Sequence, residues 1–288
     1  MTYEAALSDP GFSIPGRSKG LWDVFRHRYL LSLLLKKSIT TRYYGSVLGW
    51  AWSYVRPLAQ FLMYYLVVGQ VLGAHRDMKY FAIYLFCGII AVNLFSEALR
   101  NATNAITDNA SLVKKIYLPR ELFPVAAVGA AVIHFLPQAA VLLVICLLLG
   151  WTITWMQALA FLVALVIVLM FALGLGMFFG GINVAYRDAK NVVDLILMFA
   201  TWVSPVLYSW KMIYDLVPGW LFQLYMVNPM TTAVELFHDV FWLPLEPDAL
   251  RPEQLWLNAG IGLIFALVTL LIGQLTFRKM EGTFAQHL

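Results

Sequence analysis

Asn93, Glu97, Arg100, Asn101 and Asn104 sit inside an otherwise apolar run, at offsets of 4, 7, 8 and 11 from the first. That spacing puts all five on one face of an α-helix. In the preceding apolar run, Arg56 stands next to Pro57. Ionisable groups in such surroundings are costly unless they face a protein interior or a wet cavity. Two chemistries fit them: the polar wall of a transport path, or a structural ion pair supplemented by amide bonds between helices. Arg56 falls about 13 Å, and Glu97 roughly 12 Å, from the same end of two consecutive antiparallel spans at helical rise. Matching depth predicts that Arg56 and Glu97 pair, with Arg100 as the competing partner of Glu97.

Aromatic residues make up 15% of the chain. Trp50, Tyr54, Phe61 and Tyr65 have offsets of 4, 11 and 15 and fall near one helical face. A ring offers an apolar plate, and Tyr and Trp add a polar tip. Such plates suit the C–H faces and hydroxyls of a sugar chain that slides through many weak contacts. Aromatic belts and helix packing produce the same enrichment.

Other chemistry is missing from the sequence. There is no GxxxxGK[ST]: Gly45 and Gly49 are followed by Trp50 and make no phosphate loop. There is no HExxH and no GxSxG. A membrane glycosyltransferase or lipid phosphatase would need a metal or carboxylate constellation on a loop, and none is recognisable. The chain is therefore expected to be non-catalytic and without a cofactor of its own. Its two cysteines, Cys87 and Cys146, lie in apolar runs and read as small buried hydrophobes.

The elements that position these residues follow from composition. The chain is 61% hydrophobic and 12% charged, with a mean hydropathy of +0.75. Soluble domains carry about twice that charged fraction. The expected fold is an all-α integral membrane protein with six transmembrane helices, near 47–73, 80–105, 121–149, 155–182, 190–209 and 254–277. Pro205 interrupts the fifth.

Fifteen of the twenty Lys and Arg residues fall on the side of the N-terminus, four on the other, and Arg56 lies within a span. The positive-inside rule then places both termini in the cytosol of a multi-pass cell-membrane protein. The basic excess is a topology signal and indicates no nucleic acid partner. Residues 1–20 have no signal-peptide pattern and read as a cytosolic tail, as do 280–288. Residues 21–42 mix Leu21, Trp22, Phe25 and Tyr29 with Arg26, Arg28, Lys36, Lys37 and Arg42. They read as an amphipathic interface helix whose cations meet lipid phosphates. Residues 211–253 carry two apolar runs too short to span, expected as re-entrant or interfacial helices on the outer side. Trp220, Tyr225 and Trp242 suit that level. The inner loop with Asp108, Lys114, Lys115 and Arg120 is an exposed charged element fit for docking a soluble partner. Gly69/Gly73 and Gly176/Gly180 have the GxxxG spacing of close helix packing.

Four stretches in order carry a resemblance. "YYGSVLGWAWSYVRPL" opens the first span, and "LVKKIYLPRELFP" precedes the third. "NVAYRDAKNVVDL", with Arg187 and Asp188, joins the fourth to the fifth. "SPVLYSW" and "VPGWLFQLYMVNPMT", with Asn228 and Pro229, follow the fifth. Together they resemble the permease subunits of ABC-2 type exporters of lipid-linked polysaccharides (O-antigen and teichoic acid exporter permeases, Wzm-like). Within that family they resemble the mycobacterial exporters of lipid-linked galactan. The resemblance covers nearly the whole chain. It implies a homodimer of this chain bound to two copies of a separate ATPase that carries the ATP and Mg. It implies that the inner loop at Asp108, Lys114, Lys115 and Arg120 touches that ATPase. It makes Trp50, Tyr54, Phe61, Tyr65, Asn93 and Asn101 candidates for a glycan path. Arg26, Arg28, Lys36, Lys37 and Arg42 become candidates for holding a lipid diphosphate. The alternative within the same architecture is export of a small lipophilic drug or lipid.

Overall fold

A computed structural model describes residues 20–288, apart from Tyr43, Asp77 and Tyr117. The expected N-terminal tail up to residue 19 therefore lies outside the described residues, as does Tyr43 of the first motif. Every regular element among the described residues is helical.

The chain opens with α1 (Leu21–Arg26) and α2 (Arg28–Arg42), separated by a break at His27. A 3-10 turn (Gly49–Ala51) leads into α3 (Trp52–Tyr64), which continues as a π-helical segment (Tyr65–Val71). Then follow α4 (Phe81–Asn104), the short α5 (Ala110–Lys115), α6 (Leu122–Leu148), α7 (Trp155–Ala185) and α8 (Ala189–Val203). Three short helices come next: α9 (Trp210–Leu216), α10 (Gly219–Met226) and α11 (Pro229–Phe241). The chain closes with α12 (Leu255–Glu281) and α13 (Phe284–His287).

Four of these helices, α4, α6, α7 and α12, are long and apolar enough to cross a membrane. The first expected span changes pitch twice between Gly49 and Val71. The fifth, α8, has 15 residues, or about 22 Å at helical rise, less than the ~30 Å of a hydrocarbon core. It ends just before Ser204-Pro205, because a residue preceding proline is driven out of the helical region. Sharp starts are encoded locally. Thr154 and Gln157 form a reciprocal capping box at the head of α7. Asn228 accepts from Met230 N–H at 3.1 Å ahead of Pro229, the first residue of α11.

α4 is the axis of the bundle and is buried along most of its length, against α7, α6, α11 and α8. α6, α7 and α12 turn broad apolar faces outward, including Leu147, Leu148, Leu162, Ile264, Phe265 and Leu275. A contiguous apolar surface of that extent is foreign to a water-soluble monomer and natural in lipid. Gly174 on α7 meets α12 so closely that an added Cβ would lie 2.6 Å from Leu270 N. A Cβ added at Gly180 would lie 3.1 and 3.3 Å from the Ala102 and Thr103 carbonyl oxygens of α4, so the Gly176/Gly180 pair packs helices as expected. The Gly69/Gly73 pair does not. Gly69 lies under the Phe81 ring, while Gly73 takes a left-handed φ of 82° in a turn, because the helix has ended there.

The second outer stretch departs most from a surface-lying helix. All 13 residues of α11 are buried, packed on α4, α7 and α12. Trp242, expected at the membrane surface, is also buried and donates to the Lys79 carbonyl at 3.0 Å. A smaller core gathers Val24, Ile106, Leu122, Val184, Phe277 and Phe284. It brings α1, the α4–α6 loop and α13 to one end of the bundle, the end where the described residues begin and end. Cys87 and Cys146 are free and buried.

Candidate functional site

The polar face of α4 opens onto a cleft of about 620 Å³. α4 supplies Asn93, Ser96, Glu97, Arg100 and Asn101. α3 supplies Trp52, Ser53, Arg56, Pro57 and Gln60, and the loop between α2 and the 3-10 turn supplies Ser46. α2 contributes its last residue, Arg42, and α6 contributes His134 and Gln138. Every lining residue except Trp52 and Pro57 is polar or charged.

Glu97 is the hub. Its Oε1 accepts from Arg42 Nη1, and from His134 Nδ1 at 2.5 Å. Arg42 Nη1 and His134 Nδ1 are themselves 3.0 Å apart. With Nδ1 protonated, two donors from two other elements converge on one carboxylate. His134 is nearly fully buried (2% exposed side chain), whereas Arg42 keeps 36% and Glu97 20%. The Trp50 and His134 rings meet nearly at right angles, 6.1 Å between centroids.

The pairing predicted for Arg56 and Glu97 is thus replaced. Depth matching compared two spans only, and it is α2, folded against α6, that delivers the cation to Glu97. Arg56 lies over the Trp52 ring at 5.8 Å, the natural reach of a residue one helical turn on. Arg100 turns to Asp194 on α8, Nε to Oδ1 at 3.1 Å, a pair exposed on both sides. Asn104 leaves the cleft and accepts from Asn183 of α7 at 3.4 Å, an amide bond between helices. Three guanidiniums, Arg42, Arg56 and Arg100, consequently line a cleft that holds one carboxylate, Glu97. Such a site favours an anionic group and offers it planar, multi-donor partners.

The expected face of rings divides. Trp50 and Tyr54 are 45% and 43% exposed. Phe61 and Tyr65 stack on each other at 5.7 Å and pack against Phe86 and Phe81 of α4. The 3-10 turn below and the π-helix above shift the phase of the helix, so straight α-helical counting does not carry through.

Of the basic residues on the first two helices, only Arg42 enters the cleft. Arg26, Arg28 and Lys36 stay exposed on α1 and α2. Lys37 donates to Asn109 Oδ1 at 2.6 Å and so ties α2 to the loop after α4. In that loop Lys114 and Lys115 are exposed at the end of α5. Arg120 lies over the Phe284 ring at 5.5 Å, which joins the loop to α13. Burial pushes the Asp108 carboxyl above its usual range, and the Lys37 ammonium pulls it part of the way back. His134 and Gln138 are site residues that sequence reasoning missed. Their i, i+4 spacing in an apolar helix was the available signal.

Residues 29–242 match the family model described as ABC-2 type transporter. The chain is 28% identical over 227 residues to an O-antigen export system permease protein RfbA of Myxococcus xanthus, covering 79% of this chain and 85% of that protein. An RfbA of the same description from Klebsiella pneumoniae is 26% identical, over 90% of this chain and 95% of the relative. The polysialic acid transport protein KpsM of Escherichia coli is 24% identical, over 86% and 92%. The family match spans well over half of the sequence, and the apolar bundle agrees with it: the chain belongs to the ABC-2 type transporter family.

Proposed function

We propose that this chain is the membrane-spanning permease of an ATP-driven exporter that moves a lipid-diphosphate-linked polysaccharide outward across the cell membrane. Both termini are cytosolic, on the side of α1 and α13, and six spans cross: the four long helices, the segmented helix from Gly49 to Val71, and α8. Two copies pair with each other and with two copies of a separate ATPase, which binds ATP and Mg. The exposed α5 end with Lys114 and Lys115 docks that ATPase, with Asp108 and Arg120 setting the loop.

The observation that carries this reading is the cleft. Polar residues line it almost throughout, and Arg42, Arg56 and Arg100 surround it, on elements embedded in an apolar bundle. A diphosphate close to the inner leaflet meets its charge and geometry. Basic residues left exposed on α1 and α2 guide the anionic headgroup toward Arg42. A small lipophilic cargo, the alternative, calls for a mostly apolar pocket. The polysaccharide relatives point the same way.

The test is reconstitution of the chain with its ATPase in vesicles. A polyprenyl-diphosphate glycan is expected to stimulate ATP hydrolysis, and the same glycan released from its lipid diphosphate is not. Arg56→Ala is expected to weaken that stimulation about tenfold while assembly with the ATPase is kept. Equal stimulation by an uncharged lipophilic drug would refute the reading.

A further inference from the structure

A second cleft, of about 330 Å³, lies at the opposite end of the bundle, between α9, α10 and the loop that enters α12. Three rings shape it. Phe222 is buried and serves as the back wall, with Tyr214 edge-on at 5.1 Å and Trp210 tilted at 6.2 Å. Tyr214 keeps 58% of its surface exposed. Polar groups face the rings. Asn258 is 4% exposed and lines the cleft. Gln223 is exposed on the rim.

Charge separates this cleft from the first. Lys211 and Arg251 are matched by Asp215 and Glu253 in the lining. Arg251 is moreover held by the Asp239 carboxylate, which is buried on α11. A balanced lining gives an anionic headgroup no advantage. Aromatic plates beside an amide donor-acceptor pair suit a neutral, hydroxyl-bearing ligand with apolar C–H faces. The volume sits at the lower end of the ~300–1,000 Å³ typical of ligand pockets, room for a short run of units rather than a polymer.

We infer that this cleft is a saccharide subsite that holds a few neutral sugar units of the chain as it leaves the bundle. Trp210 and Tyr214 stack on sugar faces, and Asn258 and Gln223 bond to hydroxyls. The inference rests on the exporter reading above. Its role is to bias the emerging polymer outward: each unit captured at the far end opposes backsliding, and contacts of this kind are weak enough to release.

A photoreactive benzoylphenylalanine placed at Gln223 of the full chain, in cells that make the native glycan and the ATPase, tests it. On illumination, Gln223 is expected to yield a carbohydrate-bearing adduct at least fivefold above the same probe at Leu216, which is 78% exposed and outside the cleft. Trp210→Ala is expected to remove most of the adduct, and Trp210→Phe to retain it. Equal carbohydrate yield at Gln223 and Leu216 would overturn the subsite. So would adducts that contain only a second copy of this chain, because a dimer contact then covers the cleft. Export that persists after depletion of the chain defeats the exporter reading itself. Export that depends on the chain, without carbohydrate at Gln223, defeats the subsite alone.

Discussion

Arg42 and Glu97 are expected to be energetically coupled, and Arg56 and Glu97 not. The relevant perturbations are Arg42→Ala, Glu97→Ala and Arg56→Ala, alone and in pairs. Glu97 is mostly enclosed and Arg42 about a third exposed, so the pair lies between two regimes. Exposed ion pairs couple by ~0.2–1 kcal/mol, and removing one partner of a buried pair costs ~3–5 kcal/mol. His134 also donates to Glu97, so loss of Arg42 leaves the carboxylate with one of its two partners. A coupling of about 1.5–2 kcal/mol follows for Arg42 with Glu97, which is more than tenfold in an equilibrium constant. For Arg56 with Glu97 the expectation is below about 0.5 kcal/mol, because Arg56 is engaged with Trp52. Reversible unfolding in mixed micelles, read by far-UV circular dichroism, supplies the double-mutant cycles. A larger coupling for Arg56 than for Arg42 would refute the assignment of the ion pair. Two couplings near zero would remove Glu97 from its place as the hub.

Gly174→Ala pushes a methyl into the α12 backbone and is expected to cost about 2 kcal/mol or more, while Gly260→Ala, with open space around it, gains up to about 1 kcal/mol from helix propensity; thermal unfolding of the two variants checks the difference. Asp108 has a carboxyl pKa raised by burial, so the folded loop binds its proton more readily than the unfolded chain. Its contribution is therefore full below the unfolded carboxylate value and is lost as pH rises through the raised folded value. Hydrogen exchange of the loop is expected to quicken with pH across that window more than intrinsic exchange does, and Asp108→Asn should flatten the excess. Phe61→Ala, which empties a site between Tyr65 and Phe86, is expected to destabilise by about 3 kcal/mol. Trp50→Ala and Tyr54→Ala, at half-exposed rings, should instead lower glycan export several-fold with the unfolding midpoint nearly unchanged.

Much of the bundle was legible because lipid imposes a simple rule. Long apolar runs must be helical there, and α4, α6, α7 and α12 follow the hydropathy of their own residues. The polar face of α4 was legible for the same reason, since 3.6-residue periodicity fixes which side chains share a face. The segmented helix at Gly49 to Val71 was not, because a change to 3-10 or π pitch depends on packing against α4 and leaves no mark in spacing. Burial of α11 was likewise hidden. Glu235, His238 and Asp239 give its sequence a surface character, and only neighbouring segments supply partners that let them be enclosed, such as Arg251 of the loop before α12 for Asp239 and the Tyr84 carbonyl of α4 for His238.

The sequence by itself determined an all-helical membrane chain, a polar stripe on its central helix, charged segments gathered at one end, and a family. These are local or additive properties, set by residue type and by neighbours along the chain. Tertiary structure alone decided which cation meets Glu97. Arg42 and Glu97 stand 55 positions apart, and they meet because α2 folds back on α6 and delivers its last residue into the cleft. Depth along two spans limits the candidates for such a pair, but the direction each helix face points, and which third element packs there, follow only from the packing of all of them together.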